Sequence, residues 1–346
     1  MLKSEGLGVS RLTDAEHLVP VTQLEGYTMN ASIPEKMEAA AIDRFGGPEV
    51  LQRKTLPVPR PATDQVLIQV QTAGIGVWDS DAREGEFEVG KGFPRILGND
   101  GAGLVVAAGD EVKRFHVGDA VYAYAVEGGF YAEYAAVNEN EVAPLPAGLS
   151  LQDAGVLGAD GATALVGLED TLHLRPGETL MVFGASGGIG HFAVQLAKRL
   201  GARVLAVASG EDGVALARKL GADEVAEGHR RDLLTALRQL APEGVDAALV
   251  LAGKGATRAL KIVKERGRIA YPYGVEPEPK APAGITAAGY DGRSDPDVFE
   301  RLNRLIGSGP FHVEIGQSYR LEQVAEAHRA MGKHHLGKLA LRIHPS

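Results

Sequence analysis

The first pattern along the chain is a series of short apolar runs separated by glycine-rich turns. The runs lie at residues 37–42, 64–71, 98–109, 120–124 and 131–137. Many short strands with turns between them predict a small, barrel-like β domain. The 36 residues before them are polar and weakly periodic, and we expect an N-terminal extension, either a tail or a packing arm, unless translation begins at Met29 or Met37.

Beyond about residue 155 the pattern changes to strands that alternate with helices. Strands are predicted at 179–183, 204–207, 246–251 and 267–271, with helical periodicity between them, including a helix through Arg258 to Val263. Such alternation predicts βαβ units around a parallel sheet. Two further helices, near 297–306 and 321–331, and a strand at 338–343 complete the pattern.

A glycine-rich segment, Gly184–Gly190, joins the strand at 179–183 to the next helix, where a dinucleotide-binding loop is expected. Gly187 has no Cβ, so a pyrophosphate can approach the backbone, and Gly190 lets the helix pack closely on its strand. The helix N-terminus attracts the phosphate. Ala185 replaces the first glycine of G-x-G-x-x-G, and the alternative is a purely structural turn. The predicted cofactor-binding residues here are Ala185, Ser186, Gly187, Gly188, Ile189 and Gly190.

The residues after the next strand bear on which dinucleotide binds. An acidic residue at this strand end binds the ribose 2′-hydroxyl of NAD, whereas this chain has Ala208 and Ser209 there. A 2′-phosphate is then not repelled, and we predict that Ser209 and Gly210 contact it. His229 and Arg230 follow the next strand and are predicted to supply positive charge; the alternative for Arg230 is a solvated helix start.

Composition narrows the possible classes of function. Acidic residues outnumber basic ones by 45 to 36, a net charge of −9 that argues against nucleic acid or an anionic membrane surface as the main partner. The sequence contains no cysteine, which excludes disulfides, thiolate zinc sites and cysteine nucleophiles. No apolar run approaches the ~18 residues of a membrane span. We expect a cytoplasmic protein that acts on a small molecule.

Several segments match, in order, the motifs of one enzyme superfamily. They are Met37–Leu51 with its Gly46-Gly47-Pro48-Glu49-Val50-Leu51 turn, Gly98–Val105, Gly118–Tyr122, Gly184–Gly190, Leu220–Asp223, Ala327-His328 and Gly337-Lys338. Over residues 37–346 the chain resembles the medium-chain dehydrogenase/reductase superfamily, and within it the zinc-independent quinone oxidoreductase (zeta-crystallin-like) branch. The resemblance implies an α/β fold with a Rossmann-type doubly wound parallel sheet at 158–292 and a GroES-like β-barrel catalytic domain at 37–157 and 293–346.

The same resemblance implies the chemistry. Zinc-dependent relatives carry a cysteine in the first site loop and "GHE" further on, whereas this chain has Gly76 and Gly98-Asn99-Asp100. We therefore expect no metal, the alternative being an improvised carboxylate site of Asp79, Asp81 and Asp100. The implied reaction is hydride transfer from NADPH to a quinone or an α,β-unsaturated carbonyl compound. The alternatives are an enoyl-thioester reductase and a non-catalytic NADPH-binding protein.

Three residues are candidates for the catalytic site by their place in this resemblance. Asp79 lies in the first site loop, and Tyr131 is a possible proton donor or a packing residue. Thr163 belongs to a G-x-T-A helix start near the nicotinamide, the alternative being a hydroxyl that bonds back to its own helix. Thr163 and Lys338 are also predicted to bind the cofactor. Many relatives place Asn where this chain has Gly76, so the role of that Asn does not carry over.

The segment Ile285–Tyr290 is predicted to be an edge strand of the parallel sheet. Such strands can pair across a two-fold axis, and the family commonly forms dimers this way. We therefore expect a homodimer.

Overall fold

The structure is a computed structural model that describes residues 33–86 and 92–344. Its strands are β1 (Lys36–Ile42), β2 (Gln52–Pro57), β3 (Gln65–Ile75), β4 (Arg95–Ile96), β5 (Asp100–Ala108), β6 (Ala120–Tyr124), β7 (Tyr134–Asn138), β8 (Val142–Pro144), β9 (Thr179–Phe183), β10 (Arg203–Ala208), β11 (Glu224–Glu227), β12 (Val245–Val250), β13 (Val263–Pro272), β14 (Thr286–Tyr290), β15 (Ile315–Arg320) and β16 (Lys338–Arg342). Its helices are α1 (Val77–Glu84), α2 (Leu151–Ala154), α3 (Gly158–Leu165), α4 (Gly188–Arg199), α5 (Gly210–Lys219), α6 (Leu233–Leu240), α7 (Ala256–Ala259), α8 (Pro296–Ile306) and α9 (Val324–Ala330). Most of the predicted N-terminal extension, residues 1–32 with Met29, lies outside the described residues.

One sheet is parallel throughout and has the strand order β11-β10-β9-β12-β13-β14. In β9, Leu180 and Val182 belong to one hydrophobic core and Met181 and Phe183 to another. Both faces of this strand are therefore buried, which explains its continuous apolar sequence. The predicted Rossmann-type parallel sheet is confirmed.

The second sheet contains the strands of the N-terminal part together with the end of the chain. Its order is β15-β16-β3-β5-β6-β8, with β7 also paired to β3, and a smaller sheet has the order β2-β1-β4. The predicted run at 131–137 becomes a strand only from Tyr134. Before that point the backbone is hydrogen-bonded to two other segments. The Tyr131 carbonyl accepts from the Ala40 N–H at 2.7 Å, and the Tyr131 N–H donates to the Leu97 carbonyl.

The helix predicted through Arg258 to Val263 is wrong at its end. Helix α7 stops at Ala259, a 3-10 turn covers Leu260–Ile262, and Val263 already belongs to β13, where it pairs with Val245. The register is then irregular, and Arg266 has a left-handed φ of 64°. The apolar pattern of this strand becomes visible only after that irregularity, so the sequence places its start too late.

The two sheets come together beside the glycine-rich segment. The Gly337 N–H, just before β16, donates to the Ser186 carbonyl at 2.8 Å, and Gly187 and Gly337 form an isolated parallel bridge. This contact sets the start of β16 against the start of α4, with a cleft beside it. In the part of the chain that the structure describes, no helix has the length and apolar character needed to cross a bilayer.

Candidate active site

The glycine-rich segment forms the predicted strand-to-helix loop between β9 and α4. Gly187 is the N-cap of α4 in an extended conformation. A Cβ added there would meet only the Gly184 carbonyl, at 3.6 Å, whereas a Cβ at Gly190 would lie 2.0 Å from that same carbonyl. The space next to Gly187 is thus open, and the helix at Gly190 packs directly on the loop. This is the division of roles that a pyrophosphate-binding loop requires.

A cleft with an empty volume of about 590 Å³ lies beside this loop. Its lining comes from both sheets and includes Ile75, Gly76, Trp78, Asp160, Gly187, Gly188, Ile189, Gly190, Leu251, Gly337 and Lys338. Four of the six predicted cofactor residues of the loop, Gly187–Gly190, are therefore brought together with Lys338 on one cleft. Ala185 and Ser186 are buried behind it: the Ala185 N–H donates to the Val207 carbonyl.

Three of the four residues predicted at the adenosine end lie together, and the fourth does not join them. The Ser209 hydroxyl is hydrogen-bonded to His229 Nε2, and Gly210 follows with a left-handed φ of 74°. The Arg230 guanidinium instead forms two hydrogen bonds with Asp232, at 2.7 and 2.8 Å. Glu227, which sequence reasoning missed, accepts from the backbone N–H groups of His229 and Gly210.

Asp79 and Tyr131 belong to a buried chain of hydrogen bonds. The first site loop is in fact the start of helix α1, and Asp79 Oδ2 accepts from the Gly76 N–H at 2.8 Å and from the Tyr131 hydroxyl at 3.0 Å. His328 Nε2 lies 3.3 Å from the Tyr131 oxygen, and Arg83 donates to His328 Nδ1 at 2.8 Å. Because Arg83 is a donor only, His328 carries its proton on Nε2. The hydrogen bonds of this series therefore all run in one direction, from Arg83 through His328 and the Tyr131 hydroxyl to Asp79.

Burial is the largest cause of the pKa shifts of the residues in this hydrogen-bonded series. It raises the pKa of Asp79 to about 7, against the lowering effect of the Gly76 N–H bond. Burial, and then the Arg83 charge, lower the pKa of His328 to about 3, so this imidazole is neutral. Burial and the Asp79 carboxylate raise the pKa of Tyr131 well above its ordinary value. Sequence reasoning used Ala327-His328 only as a motif and missed the contact of His328 with Tyr131.

The raised pKa of Asp79 predicts a pH-dependent stability. Between about pH 4 and pH 7 the folded chain holds a proton on this carboxyl that the unfolded chain has released, so Asp79 lowers the free energy of unfolding as the pH rises through that range. Asp79→Asn keeps an acceptor for the Gly76 N–H but does not titrate. As the pH rises from 5 to 8, the free energy of unfolding of this variant should increase by roughly 1–3 kcal/mol relative to that of the wild type. Urea unfolding at several pH values measures this difference, and parallel curves for the two proteins would contradict it.

Lys338 lies at the centre of a second buried cluster. Its ammonium is 3.0 Å from Asp100 Oδ2 and 3.3 Å from Asp160 Oδ1, and all three side chains are almost fully buried. Burial alone would lower the pKa of Lys338, but the two carboxylates outweigh it and raise that pKa. Burial raises the pKa of Asp160 to about 6, although Lys338 acts in the opposite direction. Asp160 carries no recognisable motif and was missed.

Thr163 does not line the cleft. It is buried in α3, its carbonyl accepts from the Tyr290 hydroxyl at 3.1 Å, and its Oγ1 would lie 2.3 Å from a Cβ added to Gly292. The alternative carboxylate metal site does not form either. Among residues 33–86 and 92–344, no group of three or more His, Cys, Asp or Glu side chains is arranged to hold a metal ion.

Comparison with known proteins gives matches over both parts of the chain. The alcohol dehydrogenase GroES-like domain matches residues 62–147, and the zinc-binding dehydrogenase family matches residues 188–289. Quinone oxidoreductase of Mus musculus is 30% identical over 327 residues, covering 89% of this chain and 98% of that protein.

Solved structures agree with these matches. An NAD-dependent alcohol dehydrogenase is 30% identical with a TM-score of 0.82 and covers 89% of this chain and 100% of its own. A mycobacterial protein solved with NADPH is 25% identical with a TM-score of 0.78 over the same shares. This chain therefore belongs to the medium-chain dehydrogenase/reductase superfamily, is related to its quinone oxidoreductases over nearly their whole length, and is an oxidoreductase.

Proposed function

We propose that this protein transfers a hydride from NADPH to a quinone or to an α,β-unsaturated carbonyl acceptor without a zinc ion. The observation that carries the proposal is a cleft whose lining joins an open dinucleotide loop, at Gly187, to Lys338, whose ammonium is bonded to two buried carboxylates. With its ammonium between them, Asp100 and Asp160 are not free to hold a metal. The quinone oxidoreductase of mouse supports the acceptor class, and the mycobacterial complex supports the cofactor.

The residues of the cleft fit a dinucleotide. The N-terminus of α4 and the bare backbone of Gly187 bind a pyrophosphate, and Ile75 and Leu251 give the cleft an apolar wall. A reduced nicotinamide supplies the hydride when it is bound. Conjugated acceptors suit such a site because the added charge is delocalised, so they need little polarisation by a metal or an acid.

The preference for NADPH rests on the end of β10. Ser209 occupies the strand end where NAD-binding proteins place a carboxylate, and His229 is hydrogen-bonded to it. Arg230 is paired with Asp232, so it supplies less positive charge for a 2′-phosphate than its sequence position implied. Ser209→Asp introduces a carboxylate at this N-cap of α5, a position that tolerates Asp well.

The test is the loss of reduced-nicotinamide absorbance with a quinone, an enal, an enone and a simple aldehyde, with and without a chelator. We expect chelator-resistant oxidation of NADPH by the quinone or the enone, slower reaction with NADH, and a reversed preference in Ser209→Asp. Equal rates with both cofactors would remove the NADPH part of the proposal. NADPH binding without turnover of any acceptor would favour a thioester reductase or a non-catalytic role.

We also propose that the protein is a homodimer. Strand β14 is an outer strand of the parallel sheet and pairs with β13 on one side, and the Thr286 and Ala287 side chains are exposed. Pairing of two such edges across a two-fold axis would satisfy their free backbone groups. Light scattering should give a mass of about twice the 36.4 kDa of the chain, and the mass of a single chain would refute the dimer.

A further inference from the structure

The chain contains a single tryptophan, Trp78, and its indole lines the cleft next to Gly76 and Lys338. A Cβ added to Gly76 would lie 2.3 Å from Trp78 Cε2 and 2.4 Å from Cζ2, so the indole occupies the space that a side chain at position 76 would need. Lys338 Nζ lies 4.8 Å from the ring centroid, within the range of a cation–π contact. Lys338 is itself held by Asp100 and Asp160.

The polar atom of this side chain has no partner. Trp78 Nε1 is buried, and no residue in the described part of the chain accepts its hydrogen. A buried donor without an acceptor costs free energy, and native structures rarely leave one unless a ligand or water completes it. The donor belongs to a side chain that lines the candidate dinucleotide cleft together with Gly187, Gly188 and Leu251.

We infer that Trp78 is a positioning residue whose indole forms an aromatic wall of the cleft and whose Nε1–H donates to an oxygen of the bound ligand. This inference rests on the proposed function. The oxygen belongs either to the reduced dinucleotide or to the conjugated acceptor, and both offer carbonyl oxygens. Gly76 is required because any larger residue would displace the indole, and the cation–π contact with Lys338 holds the ring in place.

Because there is no other tryptophan, intrinsic fluorescence reports on this one side chain. Saturating NADPH should quench the emission of Trp78 and transfer energy to the reduced nicotinamide, with the midpoint that calorimetry gives for NADPH binding. Trp78→Phe keeps an aromatic ring and removes the donor. The loss of one hydrogen bond in Trp78→Phe should weaken binding of the ligand that accepts it by roughly 2- to 12-fold. A Gly76→Ala variant should weaken the same step, because it displaces the indole.

The two sources of the oxygen are separated by measuring each step. Weaker NADPH binding in Trp78→Phe, without acceptor present, assigns the donor to the cofactor. Unchanged NADPH binding with a raised KM for the acceptor and an unchanged kcat assigns it to the acceptor. Phe93→Leu is the matched control, because Phe93 also contacts a cation, Arg95, but lies outside the cleft. It should change neither constant.

Two results would overturn the inference. If calorimetry shows NADPH bound while Trp78 emission is unchanged, or if Trp78→Phe folds and matches the wild type in both constants, Trp78 does not contact the ligand, although the proposed function stands. If neither NADPH nor NADH binds to the wild-type protein by calorimetry, the proposed function and this inference fail together.

Discussion

Replacing Gly187 by alanine is expected to leave the fold intact and to weaken NADPH binding by about 10- to 100-fold. Gly187 has φ −84° and ψ −173°, which alanine adopts without strain, and its Cβ would meet no protein atom closer than 3.6 Å. The methyl group would instead project into the space where a pyrophosphate approaches the backbone. The loss corresponds to hydrogen bonds from the loop to a charged group, worth about 1.5–3 kcal/mol. Calorimetric titration with NADPH measures it, and circular dichroism checks the fold.

Gly190→Ala is the matched variant with the opposite expectation. Its Cβ would lie 2.0 Å from the Gly184 carbonyl and 2.8 Å from Ala185 Cα, and both are backbone atoms that cannot move aside cheaply. Overpacking of this kind costs about 1–3 kcal/mol or more, so this variant should melt at a lower temperature. If Gly187→Ala binds NADPH like the wild type while Gly190→Ala folds normally, the segment is not a dinucleotide loop.

Lys338→Met is expected to be strongly destabilising. Methionine preserves much of the volume but leaves Asp100 and Asp160 buried without their cation, and breaking such a pair costs about 3–5 kcal/mol. Burial already raises the pKa of Asp160, and loss of Lys338 removes the charge that opposes that effect. The variant should therefore lose stability as the pH rises above about 4 and recover part of it in acid, where the carboxylates take up protons.

The control is a lysine in an exposed pair. Lys198 lies 2.7 Å from Asp223 Oδ2, and both side chains are about one-third exposed, so Lys198→Met should cost less than about 1 kcal/mol. Unfolding by urea at pH 5 and pH 8 compares the two variants. Equal losses, or a Lys338→Met loss that does not depend on pH, would show that the buried cluster does not depend on the ammonium.

The sequence alone was sufficient for features that depend on neighbouring residues. The alternation of apolar runs predicted the parallel sheet, and the glycines at 184, 187 and 190 predicted the loop, because a strand, a turn and a helix N-terminus are local structures. The same local reasoning missed the ion pair of Arg230 with Asp232, although the two residues are only two positions apart. Where charged residues interrupt an apolar strand, as at the start of β13, the pattern placed the boundary too late.

What joins distant segments was decided by the tertiary structure. Lys338 and Asp100 are 238 residues apart, and His328 and Tyr131 are 197 apart, so no spacing rule connects them. Burial, which exists only in the folded chain, raises the pKa of Asp79 to about 7. The structure also places this predicted loop residue at the start of helix α1. The sequence determined the fold class and the place of the candidate dinucleotide loop through local periodicity; the return of β16 to β3 assembled the charges around the cleft.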